Sequence, residues 1–134
     1  MTKPMLCARL YADADGESHF DDIEFDLTSI QFAPPAPALD VSEPVESSAF
    51  SWMRFPEDWH DEAHVSPRRQ LFVVLSGEIE IWTSTGETRT FQKGDCLLGE
   101  DTTGKGHGAR PVNGEVLAVM ISLDEASSDL PGGR

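Results

Sequence analysis

The sequence lacks long apolar runs and is poor in cysteine. No stretch approaches the ~20 apolar residues that a membrane-spanning helix needs, and the N-terminus has no apolar segment typical of a secretory signal. The only cysteines, Cys7 and Cys96, are too few and too far apart for a disulfide framework or a CxxC metal knuckle. We therefore predict a cytoplasmic protein with reduced cysteines, and we interpret Cys96 as a packing residue.

Basic residues are also scarce. Lysine and arginine total 10 against 24 aspartates and glutamates, which gives a net charge of −14. Phosphate backbones and anionic membranes repel such a surface, so nucleic-acid and membrane binding are not expected. The acidic residues are interpreted mainly as a source of solubility.

Internal repeats are absent as well, and the central region shows no convincing helical periodicity, whereas signals of β-structure are frequent. Residues 70–75 form an apolar run, residues 78–83 alternate polar and apolar side chains, and glycine turns separate the short segments that follow. This pattern predicts an all-β sandwich or small barrel. We divide the chain into an acidic N-terminal arm (1–40) with edge strands and a Pro-rich connector at 33–37, a barrel (41–123), and a flexible tail (124–134).

Polar side chains precede the apolar run and suggest a pocket. If the chain is extended there, His64, Ser66, Arg68 and Gln70 share one face that continues into the core. Polar groups at the mouth of an apolar cavity are typical of small-molecule sites. Arg68 could hold a substrate carboxylate by its fork geometry, or it could form a salt bridge with one of the many acids.

The strand rhythm and ligand spacing resemble the cupin superfamily, the RmlC-like double-stranded β-helix or jelly-roll barrel. In its first motif, G-x5-H-x-H-x3,4-E-x6-G, counting back from Gly77 places Gln70 at the glutamate, Ser66 at the second histidine and His64 at the first. In the second motif, G-x5-P-x-G-x2-H-x3-N, Gly94 fits the first glycine. Glu100 stands at the proline, His107 matches the histidine after two extra residues, and Pro111 replaces the asparagine.

The resemblance implies a barrel that binds Fe, Mn, Ni or Zn. It assigns His64, Gln70 and His107 as metal ligands, although the anionic glutamate ligand is missing, and Glu100 could restore its charge. His60 is interpreted as a rim residue, and Lys105 as a possible neighbour of the pocket. No organic cofactor is expected.

Three functions remain open from the sequence. The first is a metal-dependent isomerase, lyase or dioxygenase acting on a small carboxylate or carbonyl compound, with Arg68 and Glu100 as catalytic residues. The second is a metal-free cupin that binds a small molecule without catalysis. The third is a metal-free acid–base catalyst with His64 or His107 as the base. In each case we expect a homodimer, since a small jelly roll leaves edge strands that can pair with a second copy.

Overall fold

The computed structural model describes residues 3–124, which form ten β-strands and no helix. The strands are β1 (Met5–Ala12), β2 (Ser18–Phe25), β3 (Thr28–Ile30), β4 (Leu39–Val41), β5 (Ser47–Phe55), β6 (Asp61–His64), β7 (Gln70–Thr83), β8 (Thr88–Gln92), β9 (Cys96–Gly99) and β10 (His107–Leu123). Within the same residues, nothing helical is present that could cross a membrane. The all-β prediction is confirmed.

One large sheet contains eight of the strands. Its main path runs β2-β1-β9-β7-β10-β5, with β6 paired to β10 and β8 paired to β7, while β3 and β4 form a separate small sheet. All pairs in the large sheet are antiparallel except the parallel pair of β1 and β9. Strands that are distant in sequence therefore lie side by side, as the jelly-roll prediction requires.

Strand β7 differs from its sequence-based prediction. The sequence predicts two strands separated by a turn at Gly77, but β7 is continuous from residue 70 to residue 83. Gly77 has a φ of 82°, and a Cβ on it would lie 2.4 Å from the carbonyl oxygen of Glu115. Before this point the even-numbered residues are buried, and after it the odd-numbered residues are. Gly77 therefore acts as a bulge that bends the strand and keeps an apolar face towards the interior.

The predicted N-terminal arm contributes to the large sheet. β1 pairs with β2 and with β9, and Leu10 and Phe20 are buried in the main core. β2 lies at an edge of the sheet with three exposed acids on its surface, in agreement with the predicted acid-protected edge strand. Residues 33–36 form a turn rather than an extended connector, closed by the Ala36 N–H donating to the Ala33 carbonyl at 2.9 Å. The predicted flexible tail lies, from residue 125 onward, outside the described residues.

The buried apolar residues form two clusters. The larger one brings β1, β2, β7, β8, β9 and β10 together around Leu10, Val74, Ile79 and Val116. Met53, Phe55, Trp59 and Met120 pack against it but are only partly buried. This incomplete filling leaves a cavity beside the main core. The second cluster contains Cys7, Ile23, Leu98 and Leu123.

Candidate functional site

A cavity of about 210 Å³ opens between β5, β7 and β10. Its walls are mostly apolar and aromatic, with a few polar groups. The lining residues that matter below are Phe55, Trp59, His64, Ser66, Gln70, Phe72, Gly99 and His107. Phe55 makes edge-to-face contacts with Trp59 and Phe72, at centroid distances of 5.0 and 6.0 Å. A mainly apolar enclosure with few polar groups is the usual composition of a small-molecule site.

His107 is held in place by a buried carboxylate. It is the first residue of β10, and its Nδ1 lies 2.6 Å from Oδ2 of Asp101, which is fully buried. The other carboxylate oxygen of Asp101 accepts a hydrogen bond from the Ser66 hydroxyl at 2.7 Å. The Ser66 N–H also donates to the Asp101 carbonyl, at 3.1 Å. This network fixes both the position and the orientation of the His107 ring.

His64 lies opposite His107 and has an analogous partner. It is the last residue of β6 and pairs directly with His107 in the register of β6 and β10. Its Nδ1 lies 2.6 Å from Oδ2 of Asp61. The His64 side chain is 43% exposed, against 10% for His107, which places His64 at the mouth and His107 deeper in the cavity. The two ring centroids are 4.5 Å apart.

The remaining ring nitrogens are available to a ligand. Since Nδ1 of each histidine is bonded to a carboxylate, Nε2 is the free position, and neither Nε2 has a hydrogen-bond partner among residues 3–124. The side-chain amide of Gln70, which also lines the cavity, has no such partner in that range either. In the described part of the chain, every fully buried polar side-chain atom has a hydrogen-bond partner. Since these three groups have no such partner, they are not fully buried, and a ligand in the cavity can reach them.

The two imidazoles lie close together, with ring centroids 4.5 Å apart. Metal-binding histidines also commonly donate their second ring N–H to a carboxylate, as both histidines can do here. However, the described residues contain no group of three or more His, Cys, Asp or Glu that could hold a metal ion, so Gln70 is the third protein donor that the cavity offers.

The two other predicted site residues lie elsewhere. Arg68 is exposed and does not line the cavity, because residues 65–69 form a bent loop around Pro67 rather than an extended strand. Glu100 is also absent from the lining. Its carboxylate is 2.5 Å from Arg9 Nε and 2.7 Å from Arg69 Nε, and all three side chains are at most 10% exposed. The predicted catalytic roles of Arg68 and Glu100 stay predictions, without a contact to the cavity to support them.

Two other candidates also have partners outside the cavity. His60 bonds to Glu62 at 2.5 Å and lies against the Trp82 ring, with a centroid distance of 5.8 Å. Lys105 bonds to Glu17 at 2.6 Å. The Glu17 carboxylate raises the pKa of Lys105, and Lys105 in turn lowers the pKa of Glu17. Neither His60 nor Lys105 lines the cavity.

The sequence alone does not single out Asp61 and Asp101. They precede His64 and His107 by three and six residues, respectively. In a chain with 24 acids, spacing alone did not distinguish them from solvating residues. The spacing of the motif also does not explain why Ser66 stands where the first motif has its second histidine. The Ser66 hydroxyl donates to Asp101, and a Cβ on Gly99 would lie 2.8 Å from this hydroxyl, so the neighbouring strand has room only for glycine.

Comparison with known proteins finds similarity only among solved structures. No protein-family model matches the chain, and no curated protein matches it. A Cupin 2 conserved barrel domain protein from Salinispora arenicola CNS-205 is 16% identical with a TM-score of 0.47, covering 78% of this chain and 83% of that one. The cupin domain of Schizosaccharomyces pombe Cnp3 is 15% identical with a TM-score of 0.46, covering 100% and 97%.

A third solved structure is an ethanolamine utilization protein Q from Salmonella typhimurium LT2. It is 16% identical with a TM-score of 0.41, and the match covers 92% of this chain and 97% of that one. All three TM-scores lie below 0.5, and two of the three structures are named as cupin proteins. Similarity at this level says nothing about the activity of the chain.

Proposed function

We propose that the cavity binds a divalent metal ion through His64 and His107, with the Gln70 amide as a third donor, and acts there on a small carbonyl or carboxylate compound. The observation that carries this proposal is the pairing of two carboxylate-oriented imidazoles whose ring centroids are 4.5 Å apart. Imidazole suits Fe, Ni, Zn and Cu ions. The small volume of the cavity, about 210 Å³, favours a compact substrate.

Each cavity residue has a distinct role in this function. Asp61 and Asp101 hold the imidazoles with Nε2 available, and Asp101 does so from a fully buried position. A bound divalent ion would polarise a substrate oxygen as a Lewis acid. The aromatic walls would exclude water from the bound substrate. Isomerisation, lyase chemistry and, with iron, dioxygenation are the reaction classes that suit such a site.

A second candidate function is metal-free binding of a small molecule without catalysis. It is favoured by one observation: residues 3–124 offer no cluster of three His, Cys, Asp or Glu for an ion. The donors would all be neutral, and a site without an anionic ligand compensates the charge of an ion poorly. In this case the imidazoles and Gln70 would hydrogen-bond a ligand whose apolar part lies against Phe55 and Trp59.

Metal binding by histidine variants tests the proposal. The purified protein is stripped with a chelator, dialysed against Zn²⁺ or Co²⁺, and assayed by elemental analysis, visible absorption of Co²⁺ and thermal unfolding. We expect one ion per chain and a rise in Tm, since a ligand at 100 times its Kd adds about 2.7 kcal/mol to the free energy of unfolding. His64→Ala and His107→Ala should each lose the ion, and Gln70→Ala should bind it more weakly.

The matched control is His19→Ala. His19 bonds to Asp13 at 2.6 Å and does not line the cavity, so its loss should leave the metal stoichiometry unchanged. If the unsubstituted protein takes up neither ion, or if both cavity variants bind as it does, the metal function is wrong. Metal-free binding would then be the remaining candidate, tested by whether small carbonyl compounds raise the Tm of the chelated protein.

A further inference from the structure

The chain's two cysteines, 89 positions apart in sequence, are neighbours in the fold. In the parallel pairing of β1 and β9, Ala8 lies opposite Leu97. Cys7 and Cys96 each precede these residues by one, so they occupy adjacent positions and point to the same face of the sheet. Both contact the second apolar cluster rather than the cavity lining. The sequence alone does not connect the two cysteines, and it predicts a packing role for Cys96.

The spacing of the two cysteines is compatible with a disulfide. Neighbouring strands lie about 4.7–4.9 Å apart, within the Cα separation of roughly 4.4–6.8 Å that disulfides adopt. The Cys7 thiol donates to the Ala8 carbonyl oxygen at 3.3 Å, and the Cys96 thiol donates to that of Leu6 at 3.6 Å. Neither sulfur is in a disulfide.

The two thiols differ in accessibility. Cys7 is 4% exposed, whereas Cys96 is partly exposed, and both line a shallow surface crevice of about 240 Å³. The proximity of Cys7 lowers the pKa of Cys96, while the proximity of Cys96 and burial raise the pKa of Cys7. The thiolate is the reactive form of cysteine, so the more accessible sulfur is also the one that is easier to ionise.

We propose that Cys96 and Cys7 form a peroxide-reactive dithiol site, in which Cys96 is the attacking thiol and Cys7 the resolving thiol. The Cys96 thiolate attacks one oxygen of a hydroperoxide, the O–O bond breaks, and with one proton the products are a Cys96 sulfenic acid and water or an alcohol. The Cys7 sulfur then attacks the Cys96 sulfur, which forms the S–S bond and releases water. The two thiols are oxidised together by two electrons, and the peroxide is reduced.

Titration of the full-length protein with hydrogen peroxide tests the site. We expect both thiols to become unreactive towards a thiol reagent in denaturant, and the intact mass to fall by two hydrogen atoms. Dithiothreitol should restore both thiols. On a non-reducing gel the protein should migrate as one chain, because the disulfide is intramolecular. The Tm should rise on oxidation, since the bond restricts the unfolded chain.

Single variants separate the two roles. In Cys7→Ser, Cys96 should stop at the sulfenic acid and be trapped by dimedone. In Cys96→Ser, the buried Cys7 should react at least roughly tenfold more slowly. Faster reaction in Cys96→Ser than in Cys7→Ser would overturn the assignment of roles. Retention of both thiols in the folded protein, or disulfides only between chains, would overturn the site itself. A thermal unfolding curve of each variant establishes that it is folded before peroxide is added.

Discussion

Replacing Glu100 with glutamine should destabilise the fold severely without removing the proposed metal site. Glu100 accepts from Arg9 at 2.5 Å and from Arg69 at 2.7 Å, and the three side chains are 8–10% exposed. Glutamine keeps the size of the side chain but leaves two buried guanidinium groups beside a neutral amide. Asp21 also offers Arg9 a carboxylate, at 3.9 Å.

The magnitude follows from burial. Removing one partner of a buried ion pair typically lowers the free energy of unfolding by about 3–5 kcal/mol, whereas an exposed pair contributes roughly 0–1 kcal/mol. The total stability of a domain is on the order of 5–15 kcal/mol, so Glu100→Gln removes a large part of it. At roughly 3–5 °C per kcal/mol for a chain of this size, the Tm should fall by about 10–20 °C.

The assay is urea and thermal unfolding followed by tryptophan fluorescence. The matched control is Glu80→Gln, whose partner Arg110 is 52% exposed and lies 2.8 Å away. It should change the stability by less than about 1 kcal/mol. A loss below about 1 kcal/mol in Glu100→Gln would refute the structural role given to this ion network. Loss of bound metal in a variant that is still folded would instead favour the catalytic role predicted for Glu100 from the sequence.

Three further predictions concern other parts of the molecule. Asp101→Asn should lower metal affinity about 10–100-fold, measured by calorimetric titration, because an amide cannot accept from both His107 and a hydroxyl as the carboxylate does. Gly77→Ala should lower the free energy of unfolding by about 2 kcal/mol or more in urea titrations, since φ is 82° and a carbonyl oxygen lies 2.4 Å from the added Cβ. Lys105→Met should raise the pKa of Glu17 towards its ordinary value in an NMR titration, because the ammonium group is the largest cause that lowers it. Because the pKa of Glu17 is lowered in the folded state, the ionised Glu17 stabilises the fold at pH values above the ordinary pKa of glutamate. This stabilisation is lost as the pH falls through the folded pKa, and it should be smaller in Lys105→Met.

Much of the fold could be predicted because burial in strands has a period of two. The alternation around Ile79 and Ile81 marks the buried face of β7, and the glycine at residue 94 marks the turn before β9. The bulge at Gly77 could not be predicted, because a glycine between two apolar segments is equally typical of a turn. The parallel pairing of β1 with β9 was also missed, since no local pattern records a contact between strands so distant in the chain.

The candidate site was predicted only where the chain is regular. His64, Gln70 and His107 line the same cavity, whereas Arg68 does not, because the alternation used to place it fails in the loop around Pro67. Orientation by Asp61 and Asp101 depends on tertiary contacts that spacing does not encode.

The homodimer stays a prediction. β5 lies at the end of the sheet opposite β2, and it exposes Phe50 and Trp52, whose side chains are 63% and 72% accessible. Light scattering at micromolar concentration should give the mass of two chains, and the mass of one chain would contradict the prediction.

The parallel contact of β1 with β9 has a consequence for synthesis of the protein. Hairpin formation by β1 and β2 needs only neighbouring residues, but the partners of β1 in β9 lie 89 positions further along the chain, and Glu100 lies 91 positions after Arg9. During translation, Leu10 and Phe20 of this hairpin therefore stay exposed to solvent until most of the barrel has been synthesised. Chaperone dependence and aggregation during translation should accordingly be governed by the first strands, although the proposed metal chemistry lies in later ones.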